Sequence, residues 1–230
     1  MPTEKEVYGA YADQYELLIL REDCQNHLPK EINKIKDTRG INVVELGAGT
    51  GRLTRFLAKN AAHVAASDLS HHMLSQARDV LKEQKLANAA LCAADMRRIP
   101  SATAFADMVI AGWSFCYLAV WGKDKWKQEL EIGLEEVDRL LRSGGMMIIL
   151  ENFGTGFETP NPPPHLNSYF EFLKSNGFKF TWFRTDYQFK DLSEAVELSS
   201  FFFGEELSKK VLGNKWTLLP ECTGLFWKIF

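Results

Sequence analysis

Three glycines, Gly47, Gly49 and Gly51, stand two residues apart directly after the apolar run Val43-Val44-Glu45-Leu46. Glycines at this spacing let backbone N–H groups approach a ligand, because no Cβ stands in the way. A helical pattern begins at once, so a helix N-terminus with its positive dipole end faces whatever the glycines admit. The chemistry implied is recognition of a polar or negatively charged group at a sharp strand-to-helix turn. The bland alternative is a turn with no ligand. Downstream, Asp68 ends the apolar stretch His63-Val64-Ala65-Ala66-Ser67. A carboxylate at the tip of the second strand is placed to accept hydrogen bonds from ribose hydroxyls. The competing reading is that Asp68 starts the next helix, although Ser70 is the better N-cap.

The spacing narrows the ligand. A dinucleotide fingerprint needs G-x-G-x-x-G, and here Gly51 comes one position early, with Arg52 in the place of the third glycine. The phosphate loop G-x-x-x-x-G-K-[ST] is absent, because no Lys follows. The run Glu45-Leu46-Gly47-Ala48-Gly49-Thr50-Gly51 resembles motif I of the class I S-adenosylmethionine-dependent methyltransferases, in their small-molecule (type 11/25-like) branch. Leu140-Leu141-Arg142-Ser143-Gly144-Gly145 before Met146 to Leu150 resembles the glycine pair that precedes the fifth strand of that family.

The resemblance implies that S-adenosylmethionine binds along Glu45, Gly47, Ala48, Gly49, Thr50 and Gly51, and leaves as S-adenosylhomocysteine. It implies Asp68 on the ribose and Leu69 against the adenine face. Asp95 would receive the adenine amino group, and the Met96 N–H would meet a ring nitrogen. Tyr11-Ala-Asp-Gln-Tyr15-Glu resembles the Tyr-rich N-terminal helix of small-molecule methyltransferases, with Tyr15 bordering the methionine end. Ligands of open α/β sheets sit beyond the carboxyl ends of the strands. The stretch Ala111-Gly112-Trp113 and the loop to Tyr117 should therefore meet both cofactor and substrate. Trp113 and Tyr117 are pocket candidates, with core filling the competing reading.

The elements that must hold these residues follow from periodicity. Tyr8, Tyr11, Tyr15, Leu18 and Ile19 form one helix face around 7–20, and Leu28, Ile32 and Ile35 another over 28–36. Strands are expected over 41–46, 63–67, 89–94, 105–111 and 146–151, and helices over 50–59, 70–84 and 124–142. Residues 152–164, with four prolines, read as a loop. Asn161-Pro162-Pro163 is not the base-gripping motif of adenine-specific methyltransferases, because it follows the fifth strand and Pro164 replaces the aromatic. A helix over 165–175, a sixth strand over 178–189 and a helix opened by the capping box Asp191-x-x-Glu194 come next. Residues 216–219 and 224–230 complete a final strand region broken by Pro220. The expected fold is α/β: a Rossmann-like three-layer sandwich on a seven-stranded, mostly parallel sheet. In the family the last strand runs antiparallel between strands five and six. A single domain is expected, with a helical cap over 1–38, a cofactor core over 39–151 and a substrate-side half over 152–230 that carries an insertion at about 190–213.

Composition excludes other classes. The net charge is −3 with no dense Lys/Arg block, which speaks against an electrostatic nucleic-acid binder. Cys24, Cys92, Cys116 and Cys222 lie far apart and read as reduced cytosolic thiols, neither disulfides nor a zinc site. The N-terminus lacks a signal-peptide pattern, and the near-apolar run from Met108 to Trp121 is too short to span a bilayer. The expectations are a cytoplasmic protein without metal, membrane or nucleic acid, as a monomer or homodimer.

The leading reading is a methyltransferase acting on a small molecule by in-line displacement. The methyl donor is already activated, so alignment and water exclusion do most of the work, and no catalytic triad is needed. His165, Tyr117 and Glu151 are candidate bases, with structural roles the competing reading for each. His71 and His72 are expected to be exposed. Tyr11, Trp113, Tyr117, Phe153 and Phe201, with Phe157 and Phe202, suggest a chamber for an apolar or aromatic acceptor, or for a cation held over rings. The alternatives are an RNA or protein methyltransferase, or a non-catalytic methyltransferase-like subunit that binds cofactor or a partner. An NAD-dependent dehydrogenase is disfavoured by the glycine spacing.

Overall fold

The computed structural model describes Glu6 and residues 10–230. Val7 and Tyr8 of the expected first helix face lie outside the described residues. Helices α1 (Ala12–Ile19) and α2 (His27–Ile35) precede the sheet. Then β1 (Asn42–Leu46), α3 (Arg52–Ala58), β2 (His63–Asp68), α4 (His71–Glu83) and β3 (Ala89–Ala93) alternate. After them come β4 (Ala106–Gly112), α5 (Cys116–Gly122), α6 (Trp126–Leu140) and β5 (Leu141–Thr155). The chain ends with α7 (Asn167–Ser175), β6 (Lys179–Arg184), β7 (Tyr187–Gln188), α8 (Leu192–Phe203), α9 (Glu205–Asn214), β8 (Leu218–Leu219) and β9 (Glu221–Ile229).

Seven strands form one sheet in the order β3-β2-β1-β4-β5-β9-β6. The pairs from β3 through β5 are parallel. β9 runs antiparallel to both β5 and β6, the position expected for the last strand. Continuous apolar runs explain the centre. Val43, Val44 and Leu46 of β1 and Met108 to Ala111 of β4 are buried, because helices cover both faces of the parallel part. One core packs α5, α6 and α7 against the sheet through Phe115, Leu130, Val137, Tyr169 and Phe226. Another packs α2, α3 and α4 on the opposite side through Ile32, Leu57 and Leu74. A third, smaller core joins Leu18 of α1 to Leu198 of α8, Val211 of α9 and the β7–β8 ribbon.

Local signals were obeyed at helix starts. Ser70 Oγ accepts the Met73 N–H at 3.2 Å and caps α4. Asp191 Oδ1 accepts the Glu194 N–H at 2.9 Å and caps α8. The reciprocal arm of the expected capping box forms differently: Glu194 accepts from the Lys190 N–H and from the Arg21 guanidinium of the loop after α1. The fifth strand departs most from expectation. It runs to Thr155, through residues expected as loop, and its pairing with β9 shifts between Asn152 and Thr155. Gly154 takes φ +138° there and donates its N–H to Asn152 Oδ1 at 2.9 Å, so a polar turn is folded into the strand end. The expected sixth strand is also split. Only β6 joins the main sheet, while β7 leaves it to pair with β8.

Gly224 of β9 shows how tightly the antiparallel end is packed. A Cβ there would lie 2.4 Å from Phe153 Cδ2, and Phe153 is itself wedged among Phe170, Phe180 and Phe226. Gly224→Ala is expected to destabilise the fold by about 1–3 kcal/mol through overpacking. Urea denaturation of the two proteins, compared by midpoint at equal slope, checks this; an unchanged midpoint would contradict the packing.

Candidate active site

The site lies at the carboxyl ends of β1, β2, β4 and β5, where the sheet meets the third core. Gly47 ends β1 at φ +72°, and a Cβ on it would fall 2.3 Å from Ser114 Cβ. Ser114 Oγ donates to the Leu46 carbonyl at 2.7 Å, so the turns after β1 and β4 are clamped side by side. Asp68 at the end of β2 accepts the Gly49 N–H at 2.8 Å and the Ser70 N–H at 2.8 Å. Burial raises the Asp68 carboxyl above its ordinary range, and these backbone donors oppose the shift. Thr50 Oγ1, in the same turn, is buried without a partner.

These residues enclose a cavity of about 470 Å³, lined by Gly47, Gly49, Asp68, Leu69, Met96 and Gly112, among others. Ser114, in the loop expected to meet the ligands, also lines it, as do Ser70, Met73, Ala94 and Trp121, whose sequence positions gave no sign of it. Among the expected residues, Glu45, Ala48 and Thr50 line only a crevice of about 30 Å³ beneath the glycine turn. Gly51 sits behind the turn as the N-cap of α3, and Ala111 is fully buried in β4. Asp95 does not reach the cavity. Arg97, two residues on, pairs with both its oxygens and also with Glu129. That local guanidinium lowers the Asp95 carboxyl below its ordinary range.

A second cavity of about 540 Å³ adjoins the first. Tyr15, Trp113 and Tyr117 line both. Trp113 holds φ +51°, a conformation unusual for a bulky residue and commonly kept at functional sites. Its N–H donates to the Leu150 carbonyl at 2.7 Å, and the Arg52 guanidinium carbon lies 4.1 Å from its ring centroid. Tyr117 stacks on Trp121 with centroids 4.5 Å apart. Burial pushes the Tyr15 phenol well up, with charges from Arg52, Glu22 and Asp68 all acting on it.

The larger cavity takes Glu151, Phe157, His165 and Phe202 from the expected set. His165 is exposed at its rim. Glu151 is buried and accepts the Cys116 N–H at 3.1 Å and the Tyr169 hydroxyl at 2.9 Å. Three expected pocket aromatics lie elsewhere. Phe153 is consumed by the aromatic core below β9. Tyr11 and Phe201 line neither cavity; they pair edge-to-face at 6.0 Å, and Tyr11 is 41% exposed. The phase of α8 turns Phe202 inward and Phe201 away. His71 and His72 are exposed, and His72 Nε2 accepts the Ala12 N–H at 3.4 Å, tying α4 to α1.

Sequence reasoning missed a buried polar group in this cavity. Glu22 Oε2 accepts from Arg52 Nη1 at 2.6 Å and from the Tyr187 hydroxyl at 2.9 Å. Glu221, at the start of β9, is 1% exposed and accepts from Asn152 Nδ2 at 3.0 Å. Arg52 sat next to the glycine turn and could have been flagged; Glu22 and Glu221 carried no local signal. Among the described residues no group of three or more His, Cys, Asp or Glu side chains is placed to hold a metal ion. No helix among them is long and apolar enough to cross a membrane.

Comparison with known proteins bears on the same region. Residues 44–149 match the family model described as a methyltransferase domain. Over 109 residues, 47% of the chain, it is 36% identical to a malonyl-[acyl-carrier protein] O-methyltransferase of Enterobacter lignolyticus, covering 38% of that protein. Over 75 residues, 31% of the chain, it is 33% identical to a ribosomal RNA small subunit methyltransferase A of Streptococcus thermophilus, covering 26% of it. The chain thus spans well under half the length of these curated relatives. Among solved structures, a SAM dependent methyltransferase from Aquifex aeolicus superposes with a TM-score of 0.58 at 17% identity, covering 88% of this chain and 89% of that one. Residues 44–149 thus match a methyltransferase domain, and the chain has a Rossmann-like methyltransferase fold.

Glu151 supplies a test of the site's electrostatics. Burial raises its carboxyl from 4.5 to about 7. The folded protein therefore holds a proton that the unfolded chain has released between those values, and stability from this group falls as pH rises from about 4.5 to about 7. Glu151→Gln should flatten that part of the stability profile. Thermal melts from pH 4.5 to 8 read it, and an unaltered slope would refute the raised pKa.

Proposed function

We propose that this protein, with its methyltransferase domain over residues 44–149, is an S-adenosylmethionine-dependent methyltransferase acting on a small molecule in the cytoplasm. The observation that carries the reading is the pair of cavities meeting at Tyr15, Trp113 and Tyr117. One has the features of an adenosyl site and the other the size of a small-molecule pocket. The residues fit the cofactor. Gly47 and Gly49 leave bare backbone along one wall, and Asp68 presents an acceptor-only group where ribose hydroxyls would lie. Leu69, Met73 and Met96 offer apolar surface for the adenine ring. Glu45 keeps the turn in shape from below, accepting the Thr54 hydroxyl at 2.6 Å while burial raises its carboxyl to about 8.

The bound cofactor would supply a methyl group on a sulfonium, already activated for transfer. The chain's own residues have three tasks. Tyr15, Trp113 and Tyr117 border the passage between the cavities, hold the acceptor in line and keep water out. Glu151, raised to about 7, is the one expected base that lines the acceptor cavity from a buried position, and it can take a proton near neutral pH. Helices α1, α8 and α9 close the acceptor side, Tyr15 and Ile19 from one edge, Phe203 and Leu207 from the other. Support for a small acceptor comes from this enclosure and from the net charge of −3, which offers little to a polyanion. The four described cysteines are free, in keeping with a reducing compartment.

Calorimetric titration with S-adenosylhomocysteine and with NAD tests the reading. S-adenosylhomocysteine should bind and NAD should not. Asp68→Ala should weaken the adenosyl ligand about 100-fold or more, the loss expected for two charge-assisted hydrogen bonds. Folded protein that ignores S-adenosylhomocysteine would overturn the assignment.

A further inference from the structure

The larger cavity has an imbalance of charge and of hydrogen-bond donors. Its buried carboxylates are Glu22, with a side chain 3% exposed, and Glu151 and Glu221, each 1% exposed. Its buried cation is Arg52 alone among the lining residues. Lys210 also lines the cavity, but it stands at the rim, half exposed and paired with Glu206 at 3.4 Å. Glu22 Oε1 and Glu221 Oε2 are both buried with no hydrogen-bond partner, against a single unpartnered donor atom, Arg52 Nη2. Each unmatched oxygen is a buried acceptor whose lost hydration nothing in the protein replaces. Glu22 and Glu221 also repel: the charge of Glu22 adds to burial in raising the Glu221 carboxyl, with Asp186 pushing the same way and Arg52 opposing.

We propose that this cavity binds an amine as its ammonium ion, with the charged nitrogen against Glu22 and Glu221 and an apolar or aromatic body against Tyr15, Tyr117 and Phe202. The inference rests on the reading that this cavity receives the methyl acceptor. Donor counting sets the chemical class. An ammonium offers up to three N–H donors and can satisfy both orphan oxygens at once. A hydroxyl offers one donor, and although its oxygen can also accept from Arg52 Nη2, it brings no positive charge to offset the two carboxyls. A carboxylate or phosphate offers none and adds a like charge beside three carboxyls. The aromatic walls favour the same choice, because ring faces attract a desolvated cation. The nitrogen would lie near the shared wall, since Glu22 acts electrostatically on Tyr15, which faces the adenosyl cavity as well.

The test is calorimetric titration with three probes that share a phenylethyl body: 2-phenylethylamine, 2-phenylethanol and 3-phenylpropionate. Each is titrated with and without saturating S-adenosylhomocysteine. Binding of that nucleoside, read separately, reports on the cofactor assignment, so the two readings fail independently. The amine is expected to bind at least about tenfold more tightly than the alcohol, with the carboxylate weakest. Glu221→Gln should weaken the amine about tenfold and leave the alcohol within about threefold, because a charge-assisted contact is lost; Glu22→Gln, which also breaks the ion pair with Arg52, should weaken the amine at least as much. Alcohol or carboxylate binding as tightly as the amine would overturn the proposal. So would failure of all three probes, or amine affinity unchanged in both variants. The wild-type comparison of the three probes decides the matter even if neither variant folds.

Discussion

The close approach of two strand ends sets the geometry of the site. β1 and β4 are hydrogen-bonded neighbours, and the chain leaving each must turn sharply within the width of one strand spacing. At Gly47 there is room for a hydrogen and for nothing larger, since Ser114 fills the space a side chain would need. The Ser114 hydroxyl then bonds back to the Leu46 carbonyl. From this contact the rest follows in order. The glycine turn is held open toward β2, Gly49 can reach Asp68, and Trp113 is forced into a left-handed backbone conformation beside the turn. Trp113 in turn forms part of the partition between the two cavities.

The second organising force is the cost of burying charge. Glu45, Glu151 and Glu221 are all shielded from water, and burial raises each carboxyl. Their positions are not scattered. Glu45 sits under the glycine turn, Glu151 and Glu221 on β5 and β9 where those strands leave the sheet. A fold keeps such groups only where geometry supplies partners, and Glu45 and Glu151 have theirs in Thr54 and Tyr169. Glu221 is only partly satisfied: Asn152 meets one of its oxygens and the other has no hydrogen-bond partner.

The sheet core was legible because its signals are local. Apolar runs, glycine stops and the Ser70 cap each act within a few residues, so most strand and helix positions and Asp68 at the tip of β2 followed from the chain, while the place of the last strand came from the family resemblance. The failures share a cause. Asp95 pairs with Arg97, two residues away, and does not line the cavity that Met96 does. Phe153 and Phe201 were misjudged because aromatic character does not reveal which side of an element faces a cavity. Within Phe201-Phe202-Phe203, only the helical phase of α8 separates a cavity residue from a neighbour that faces Tyr11. Glu22 and Glu221 are 199 positions apart in the chain, and the antiparallel return of β9 is what brings them to one cavity. No window along the sequence contains that pairing.

Helix α1 shows how the two halves of the site are mechanically one. One face of it is buried through Ala12, Leu18 and Ile19, with Leu18 in the third core, while Leu17 and the following Leu20 are 48% and 54% exposed. Ion pairs hold it and the loop that follows. Glu16 pairs with Arg55 at 2.6 Å, Glu22 with Arg52 at 2.6 Å, and Arg21 with Glu194 of α8 at 2.8 Å. The first two are largely shielded from solvent, so losing one partner would leave a buried charge uncompensated. Both arginines in those pairs belong to α3, the helix that the glycine turn starts. The same turn that shapes the smaller cavity therefore also fixes Tyr15 and Glu22, which wall the larger one. A change that tilts α3 cannot reshape one cavity without the other, and this coupling needs no moving part.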